Sequence, residues 1–180
     1  MKSIVVFLWL IIGGIIIPQH RVIYVNAGAN PGGNGTLLNP FNTINQGIQS
    51  SVFGDTVHVM AGIYNEKIRM LNGVSLVGDG PEKCVINDSL METQISDSCV
   101  ISGLTFNQSI SCLSVSPIIK GNNIHSKAGY LPGIKILSHS SPVIKQNYIS
   151  SCEVGINILS ECNPLIRNNI IIKLLMRKLC

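Results

Sequence analysis

The sequence contains little charge and few aromatic residues, and both shortages exclude classes of function. Charged residues make up 12% of the chain and aromatic residues 5%, with a single tryptophan. No run of basic residues is interleaved with aromatics, although the formal net charge is +4. Nucleic-acid-binding surfaces normally carry such a patch, so we expect no nucleic-acid partner. Low charge combined with 17 glycines favours a narrow β-solenoid over an α/β enzyme.

The usual sequence signs of a metal or thiol-redox site are also missing. None of the six cysteines forms a C-x-x-C pair. We expect buried thiols that pack as small apolar residues, with disulfide bridges as the alternative. His58, His125 and His139 are dispersed, so we interpret them as surface residues and assign no metal ligands.

One long apolar run is present, at the amino terminus. Met1-Lys2-Ser3 precedes fourteen residues from Ile4 to Ile17 that are apolar apart from two glycines. A positive charge followed by an apolar core of this length predicts a signal peptide over residues 1–20, with an uncleaved anchor as the alternative. We therefore expect a secreted, periplasmic or cell-surface protein, with no membrane contact beyond such an anchor.

Near the other end, the sequence repeats one phrase three times. The phrases contain Pro117, Pro142 and Pro164, which are 25 (142 − 117) and 22 (164 − 142) residues apart. Counted from the proline, isoleucine occupies the second and seventh positions, asparagine the fifth, and a basic residue the third. The four rows are Ile119, Ile144 and Ile166; Ile124, Ile149 and Ile171; Asn122, Asn147 and Asn169; and Lys120, Lys145 and Arg167.

The spacing of the repeats and the turn-forming residues that recur in them predict stacked β-coils. The isoleucines follow no sustained helical stripe, and proline recurs where a helix would need amide donors. We expect an all-β, right-handed parallel β-helix over residues 21–180, with about six or seven coils spaced ~4.8 Å apart. Residues 21–80 form the cap and first coils, and residues 81–171 the repeat coils. The asparagines are predicted to adopt left-handed turns and to bond to their copies in the next coil.

A short helix is predicted to cap the first coil. Ile44 and Ile48 are four residues apart, so an amphipathic helix starting near Asn42 presents both to one side. Solenoids need a cover of this kind for solubility.

The amino-terminal part of the chain resembles a known module. The stretch Ile23–Gly80 contains Gly32-Gly33-Asn34-Gly35-Thr36, Asn39-Pro40-Phe41-Asn42-Thr43, Gly54-Asp55-Thr56-Val57-His58 and Gly62-Ile63-Tyr64-Asn65-Glu66. It resembles the amino-terminal module of pectin-lyase-like β-helix proteins, a domain of unknown function that commonly precedes right-handed β-helix repeats. The later repeats are similar to the generic β-helix repeat of carbohydrate-binding and sugar-hydrolase proteins, and of a periplasmic family that helps to mature nitrous oxide reductase. Together these resemblances span nearly all of the mature chain.

The chemistry of such enzymes needs clustered carboxylates. Lyases of this fold require a Ca²⁺-binding cluster and an Arg or Lys base, and hydrolases require two or three close carboxylates. Five of the nine acidic residues fall between Asp79 and Asp97, but no two show the i, i+2 spacing of one strand face. We interpret them as solvated turn residues and assign no catalytic residue, with Asp55 and Glu66 as minor candidates. Ca²⁺ is expected only if the protein is a lyase, and we assign no other cofactor.

The basic row is the candidate ligand-binding site. Lys120, Lys145 and Arg167, stacked at strand spacing, suit a uronic-acid or sulfated polysaccharide lying along the solenoid axis, and solubility of the sheet face is the alternative explanation. We expect an exported carbohydrate-binding or surface scaffold protein without its own catalysis. The alternatives are a polysaccharide lyase or glycoside hydrolase of the pectin-lyase-like class, and a periplasmic accessory in metalloenzyme maturation.

After Asn169 the turn residues vanish and the sequence becomes apolar and basic. An uncovered solenoid end exposes unpaired backbone. We expect either that the chain is a fragment or is truncated by a shifted reading frame, or that the segment after Asn169 forms a short amphipathic cap.

Overall fold

Short parallel β-strands make up most of the regular structure. The computed structural model describes residues 10–12, 15–17, 20–93, 99–126 and 131–172. The elements of the first half are β1 (Leu10–Ile12), β2 (Ile15–Ile17), β3 (Val22–Val25), α1 (Ile44–Gln49), β4 (Thr56–Val59), β5 (Gly62–Tyr64), β6 (Ile68–Arg69), β7 (Ser75–Gly78), β8 (Cys84–Ile86) and β9 (Leu90–Thr93). Those of the second half are β10 (Val100–Ser102), β11 (Thr105–Phe106), β12 (Ile110–Leu113), β13 (Ile118–Lys120), β14 (Asn123–His125), β15 (Ile134–Leu137), β16 (Val143–Lys145), β17 (Tyr148–Ser150), β18 (Ile156–Ile158), β19 (Leu165–Arg167) and β20 (Ile170–Ile172).

The strands from β3 onward form three parallel sheets. The first sheet has the order β3-β4-β7-β10-β13-β16-β19, the second β5-β8-β11-β14-β17-β20, and the third β6-β9-β12-β15-β18. Each coil contributes one strand to each sheet in turn. This gives five complete coils from β4 to β18, with a partial coil at either end. The prediction of a right-handed parallel β-helix is confirmed.

The core is a set of stacked aliphatic columns. In the first sheet Ile101, Ile119 and Ile144 lie in register and are fully buried. Ile124 and Ile149 do the same in the second sheet. Both isoleucine rows predicted from the repeat therefore face the core. Their last members, Ile166 and Ile171, lie in the final described coil and are 39% and 50% exposed.

The asparagine ladder (Asn122, Asn147, Asn169) runs inside the corner between the first two sheets. Nδ2 of Asn122 donates to Oδ1 of Asn147 at 3.1 Å, and Nδ2 of Asn147 donates to Oδ1 of Asn169 at 3.0 Å. Nδ2 of Asn147 also donates to the carbonyl of Ile119. This one amide group therefore bonds to the coil that precedes it and to the coil that follows it. Asn122 and Asn147 are almost completely buried. Buried amides of this kind need every partner, so the ladder fixes the register of successive coils.

The left-handed turn residue differs from the prediction. It is the residue before each ladder asparagine, Gly121, Gln146 or Asn168, with φ of 61°, 56° and 54°. The ladder asparagines themselves have no positive φ, because their side chains must point inward to meet one another. The prediction that they adopt the left-handed conformation was wrong.

A second asparagine ladder occupies the next corner in the earlier coils. Nδ2 of Asn87 donates to Oδ1 of Asn65 at 2.6 Å, and Nδ2 of Asn107 donates to Oδ1 of Asn87 at 2.6 Å. The earlier coils are therefore held in register by the same chemistry, even though they lack the repeated proline phrase.

The predicted capping helix is present as α1. The side chain of Thr43 accepts a hydrogen bond from the Gln46 amide at its start, and Ile44 and Ile48 are buried against the first coils. Asn45 covers the free edge of β6, since its Nδ2 donates to the Lys67 carbonyl and its Oδ1 accepts from the Arg69 amide. One side-chain amide thus replaces the neighbouring strand that β6 lacks.

The amino-terminal apolar run is described only in part. β1 and β2 pair antiparallel, Leu10 with Ile17 and Ile12 with Ile15. Across the described ranges, no helix is long and apolar enough to cross a bilayer. The signal peptide remains a prediction. Of the segment after Asn169, on which the terminal cap was predicted, residues 170–172 form strand β20 and residues 173–180 lie outside the described residues.

We predict that Asn147→Ala lowers the free energy of unfolding by about 2–4 kcal/mol, because it removes partners from the buried amide of Asn122 and the carbonyl of Ile119. Urea denaturation followed by circular dichroism measures this. Asn30→Ala, at an exposed position, is the control and should change stability by less than about 0.5 kcal/mol. Equal effects of the two substitutions would show that the ladder does not hold the coils in register.

Candidate functional site

The basic row (Lys120, Lys145, Arg167) is assembled on the outer face of the first sheet. Lys120 lies directly opposite Lys145, and Lys145 opposite Arg167, in β13, β16 and β19. Their neighbours Ile119, Ile144 and Ile166 occupy the inward positions, so alternation along the strand turns the basic side chains outward. The structure brings together all three residues predicted for ligand binding.

The three cations have no anionic partner within the described part of the chain. The ion pairs found there are Arg21–Asp55, His58–Asp79 and His139–Glu161. Lys120 and Lys145 are half-buried and Arg167 is exposed. Like charges directly opposite each other destabilise a sheet by roughly 0.2–1 kcal/mol per pair. An anion bound along the row would relieve this repulsion.

An aliphatic row (Val100, Ile118, Val143, Leu165) runs beside the basic row on the same face. Its members lie in register across β10, β13, β16 and β19. Leu165 is 53% exposed and the other three are partly exposed. On β13, β16 and β19 each strand thus presents one aliphatic and one cationic residue to the outside, while on β10 the second position is Ser102. The signal was present in the sequence, because the residue after each proline of the repeat is Ile118, Val143 or Leu165.

The basic row continues a column that begins with two ring side chains. Tyr24 lies opposite His58, and the column proceeds through Val77 and Ser102 to Lys120. The rings of Tyr24 and His58 are 5.4 Å apart. His58 Nε2 is 2.7 Å from Asp79 Oδ1, and Asp79 Oδ2 accepts from the Ala61 amide at 3.0 Å. A carboxylate that is itself fixed therefore orients this imidazole, a feature that sequence reasoning missed.

The other predicted surface histidines also have polar neighbours. His125 Nδ1 is 2.7 Å from Ser150 Oγ, and exposed His139 pairs with Glu161 at 2.8 Å. In the described ranges no group of three or more His, Cys, Asp or Glu side chains is arranged to hold a metal ion.

Asp55, a minor candidate for catalysis, has a structural role. Its carboxylate accepts hydrogen bonds from the Arg21 amide at 2.9 Å, the Arg21 guanidinium at 2.6 Å and the Val52 amide at 2.9 Å. Burial raises the pKa of Asp55, but the hydrogen bonds and charge of Arg21 together with the Val52 amide outweigh it, so the pKa lies below its ordinary value. An acid held ionised in this way is a poor proton donor.

Glu66, the other candidate, caps α1. Its Oε1 accepts from the Ile44 amide at 2.7 Å, and its Oε2 accepts from the amide and side chain of Asn45 at 3.0 and 2.8 Å. The carboxylate satisfies amides in the first turn that have no partner within the helix. Tyr64, two residues earlier, is buried and donates to the Met60 carbonyl, and burial raises its pKa to about 12. It therefore offers no stacking surface for a sugar beside Glu66.

The acidic stretch from Asp79 to Asp97 does not form a described cluster. Asp79 bonds to His58, and Asp88 accepts from the amide of its neighbour Ser89 at 2.6 Å. The side chain of Glu92 and all of Asp97 lie outside the described residues.

The cysteines that the structure describes are packed thiols that form no disulfide bridge, as predicted. Cys84, Cys99, Cys112 and Cys152 are buried, and Cys162 is partly exposed. Burial raises the pKa of the Cys84 and Cys152 thiols. They therefore remain protonated and unreactive at neutral pH.

Comparisons with known proteins agree with this architecture. The profile of the family described as "Protein of unknown function (DUF1565)" matches residues 26–177. Comparisons with curated proteins and with solved structures gave no match. The match and the parallel solenoid confirm the resemblance to a β-helix protein that contains a domain of unknown function.

We predict that Asp55 makes the protein sensitive to acid. Because the pKa of Asp55 is lowered on folding, its contribution to stability is present above an unfolded-state pKa of about 3.9 and is lost as the pH falls through the lower folded value. Asp55→Asn should therefore lower the free energy of unfolding at neutral pH by about 3 kcal/mol and flatten its pH dependence below about pH 4. Urea titrations across this pH range measure both. Glu82→Gln, at an exposed position, should leave the profile unchanged, and a wild-type profile for Asp55→Asn would contradict the assignment.

We also predict slow alkylation of the buried thiols. Iodoacetamide applied to the native protein should modify Cys162 well before Cys84 and Cys152, as measured by peptide mass spectrometry. Labelling after unfolding in guanidinium is the control and should reach every cysteine. Equal native rates at Cys84 and Cys162 would show that the core opens readily at that position.

Proposed function

The chain belongs to the DUF1565 family of proteins of unknown function, and we propose that it is an exported β-helix protein that binds an acidic polysaccharide without cleaving it. The binding surface is the outer face of the first sheet, where the basic row and the aliphatic row lie side by side. The apolar run from Ile4 to Ile17 supports export.

The observation that carries the proposal is the in-register stacking of Lys120, Lys145 and Arg167. Stacked coils place one cation every ~4.8 Å along the solenoid axis. A polymer with anionic groups at regular intervals matches such a line better than a compact anion, which reaches only one or two of the three positions. Because the row faces outward on the sheet surface, a long chain can lie across it without entering a pocket.

The aliphatic row supports a sugar ligand in particular. Pyranose rings have faces of C–H groups and edges of hydroxyl and carboxylate groups. Ile118 and Val143 lie two residues before Lys120 and Lys145 on the same outer face. A uronic-acid chain that sets its carboxylates on the cations therefore lays its C–H surfaces on aliphatic side chains.

We propose binding without cleavage because three acidic residues already have partners within the protein. Asp55 and Glu66 are engaged by backbone amides, and Asp79 by His58. None of these three is left as a proton donor beside the basic row.

A lyase is the second candidate, and the His58–Asp79 pair favours it. An imidazole oriented by a carboxylate is a common form of general base. His58 shares its column with Lys120, three strand spacings or about 14 Å away. A bound uronic-acid chain that extends toward Tyr24 would reach it. Release of unsaturated uronides from polygalacturonate, lost in His58→Gln, would establish the lyase and overturn the non-catalytic proposal.

Binding of polygalacturonate to the full-length protein by calorimetry or affinity electrophoresis tests the proposal. Lys120→Ala combined with Lys145→Ala should weaken binding about tenfold, because two charge contacts at half-buried surface positions are worth roughly 1–2 kcal/mol together. Binding should also weaken as salt rises, since exposed charges are screened.

Two controls distinguish binding by the basic row from a general effect of the protein's net charge. Lys83→Ala combined with Lys135→Ala removes the same charge from other surfaces and should leave affinity within about twofold. Uncharged dextran should not bind. Unchanged affinity of the Lys120/Lys145 double variant would remove the basic row as the binding site.

A further inference from the structure

The chain enters the solenoid at one corner, next to the capping helix. The guanidinium of Arg21 binds the Asp55 carboxylate and donates to the Ser50 carbonyl at 3.0 Å, and the Arg21 carbonyl accepts from the Thr56 amide at 2.9 Å. β2 ends at Ile17, and the three residue steps from there to His20 span at most about 10 Å. The apolar residues of β1 and β2 are therefore tethered close to this corner.

Two stacked turns expose apolar side chains there. One turn is closed by the Asp55 amide and Val52 carbonyl at 3.0 Å, the other by the Val74 amide and Leu71 carbonyl at 3.2 Å. The Gly54 amide joins the turns by donating to the Gly73 carbonyl at 2.9 Å.

Three apolar side chains project from these turns into solvent. Phe53 is 62% exposed, Val52 52% and Leu71 44%. The ring of Phe53 lies directly over Gly73, where any larger residue would collide with it. The ring therefore packs on the backbone of the neighbouring turn while most of its surface stays exposed to solvent.

A cleft with two cations adjoins the apolar turns. It has a volume of about 510 Å³, lies between α1 and β6, and is lined by Gln49, Lys67, Arg69 and Leu71 among others. Lys67 and Arg69 are exposed and make no ion pair with any described residue. The nearby carboxylates are already engaged, Asp55 by Arg21 and Glu66 by the first turn of α1.

We propose that this entry corner, made of Val52, Phe53, Leu71, Lys67 and Arg69, docks on the surface of an anionic lipid bilayer. Exposed aromatic and aliphatic side chains next to uncompensated cations are the features that bind the headgroup region of such a membrane. In the chain that keeps residues 1–20 as an uncleaved anchor, the tether from β2 adds a second argument, since any bilayer that takes up the apolar residues 10–17 lies within reach of the corner. The basic row plays no part in this contact, so the inference stands apart from the proposed polysaccharide binding.

Depth-dependent fluorescence tests the contact directly in the full chain. Trp9→Phe removes the single tryptophan, and Phe53→Trp then places a reporter in the corner. Vesicles of phosphatidylcholine and phosphatidylglycerol should shift the emission of Trp at position 53 to the blue, and brominated lipids should quench it. Leu159→Trp in the same background is the matched control, because Leu159 is 44% exposed and lies after β18 near the other end of the solenoid. It should show neither effect.

Charge removal tests the lipid specificity. Lys67→Gln combined with Arg69→Gln should lower the partition coefficient on phosphatidylglycerol-containing vesicles on the order of tenfold, and barely change it on pure phosphatidylcholine. Lys83→Gln combined with Lys135→Gln should leave it near the wild-type value. The proposal is overturned if position 53 is unaffected while the protein sediments with vesicles, if position 159 responds equally, or if both double variants behave alike.

Discussion

Parallel pairing of the same position in successive coils is the constraint on which the rest of this molecule depends. Each coil lies ~4.8 Å from the next, so whatever side chain occupies a position is placed directly over its counterpart. Inside, this suits asparagine, whose amide both donates to and accepts from an identical copy. Asn122, Asn147 and Asn169 form such a series at one corner, and Asn65, Asn87 and Asn107 at another. Outside, the same constraint forces Lys120, Lys145 and Arg167 together at a cost in repulsion.

This contrast distinguishes the isoleucine and asparagine rows, which stabilise the solenoid, from the basic row, which does not. Stacked isoleucines gain packing and stacked asparagines gain hydrogen bonds, so either row stabilises the coil stack by itself. Stacked cations gain nothing from one another, and the described residues offer them no carboxylate. A ligand that supplies regularly spaced anions would turn the repulsion into attraction. This is the physical basis for proposing that the outer face of the first sheet binds an acidic polymer.

The repeated phrase predicted the fold and the basic row because both depend only on period. Ile119 and Lys120 alternate across one strand, and the spacing of the prolines sets the register of β13, β16 and β19. Helix α1 was predicted from the four-residue spacing of Ile44 and Ile48, both of which are buried. What could not be predicted depends on contacts between distant segments. Glu66 caps α1 from 22 residues away, and Arg21 fixes Asp55 from 34.

The aliphatic row was overlooked for another reason. Its residues carry apolar side chains that sequence reasoning assigns to a core, whereas the pleat turns Ile118 and Val143 outward. The left-handed turn was misplaced by one residue, because asparagine tolerates that conformation but is needed here for its inward side chain. Gln146 adopts the turn instead, with φ of 56°.

The central claim is that an acidic polysaccharide lies along the basic row, and amine footprinting tests it most directly. The native full-length protein would be acetylated with and without polygalacturonate, and the modification of each lysine measured by mass spectrometry. The account predicts that the polymer protects Lys120 and Lys145 together while exposed Lys83 is modified at its unprotected rate. Bound polymer that left the modification rates of Lys120 and Lys145 unchanged would contradict it.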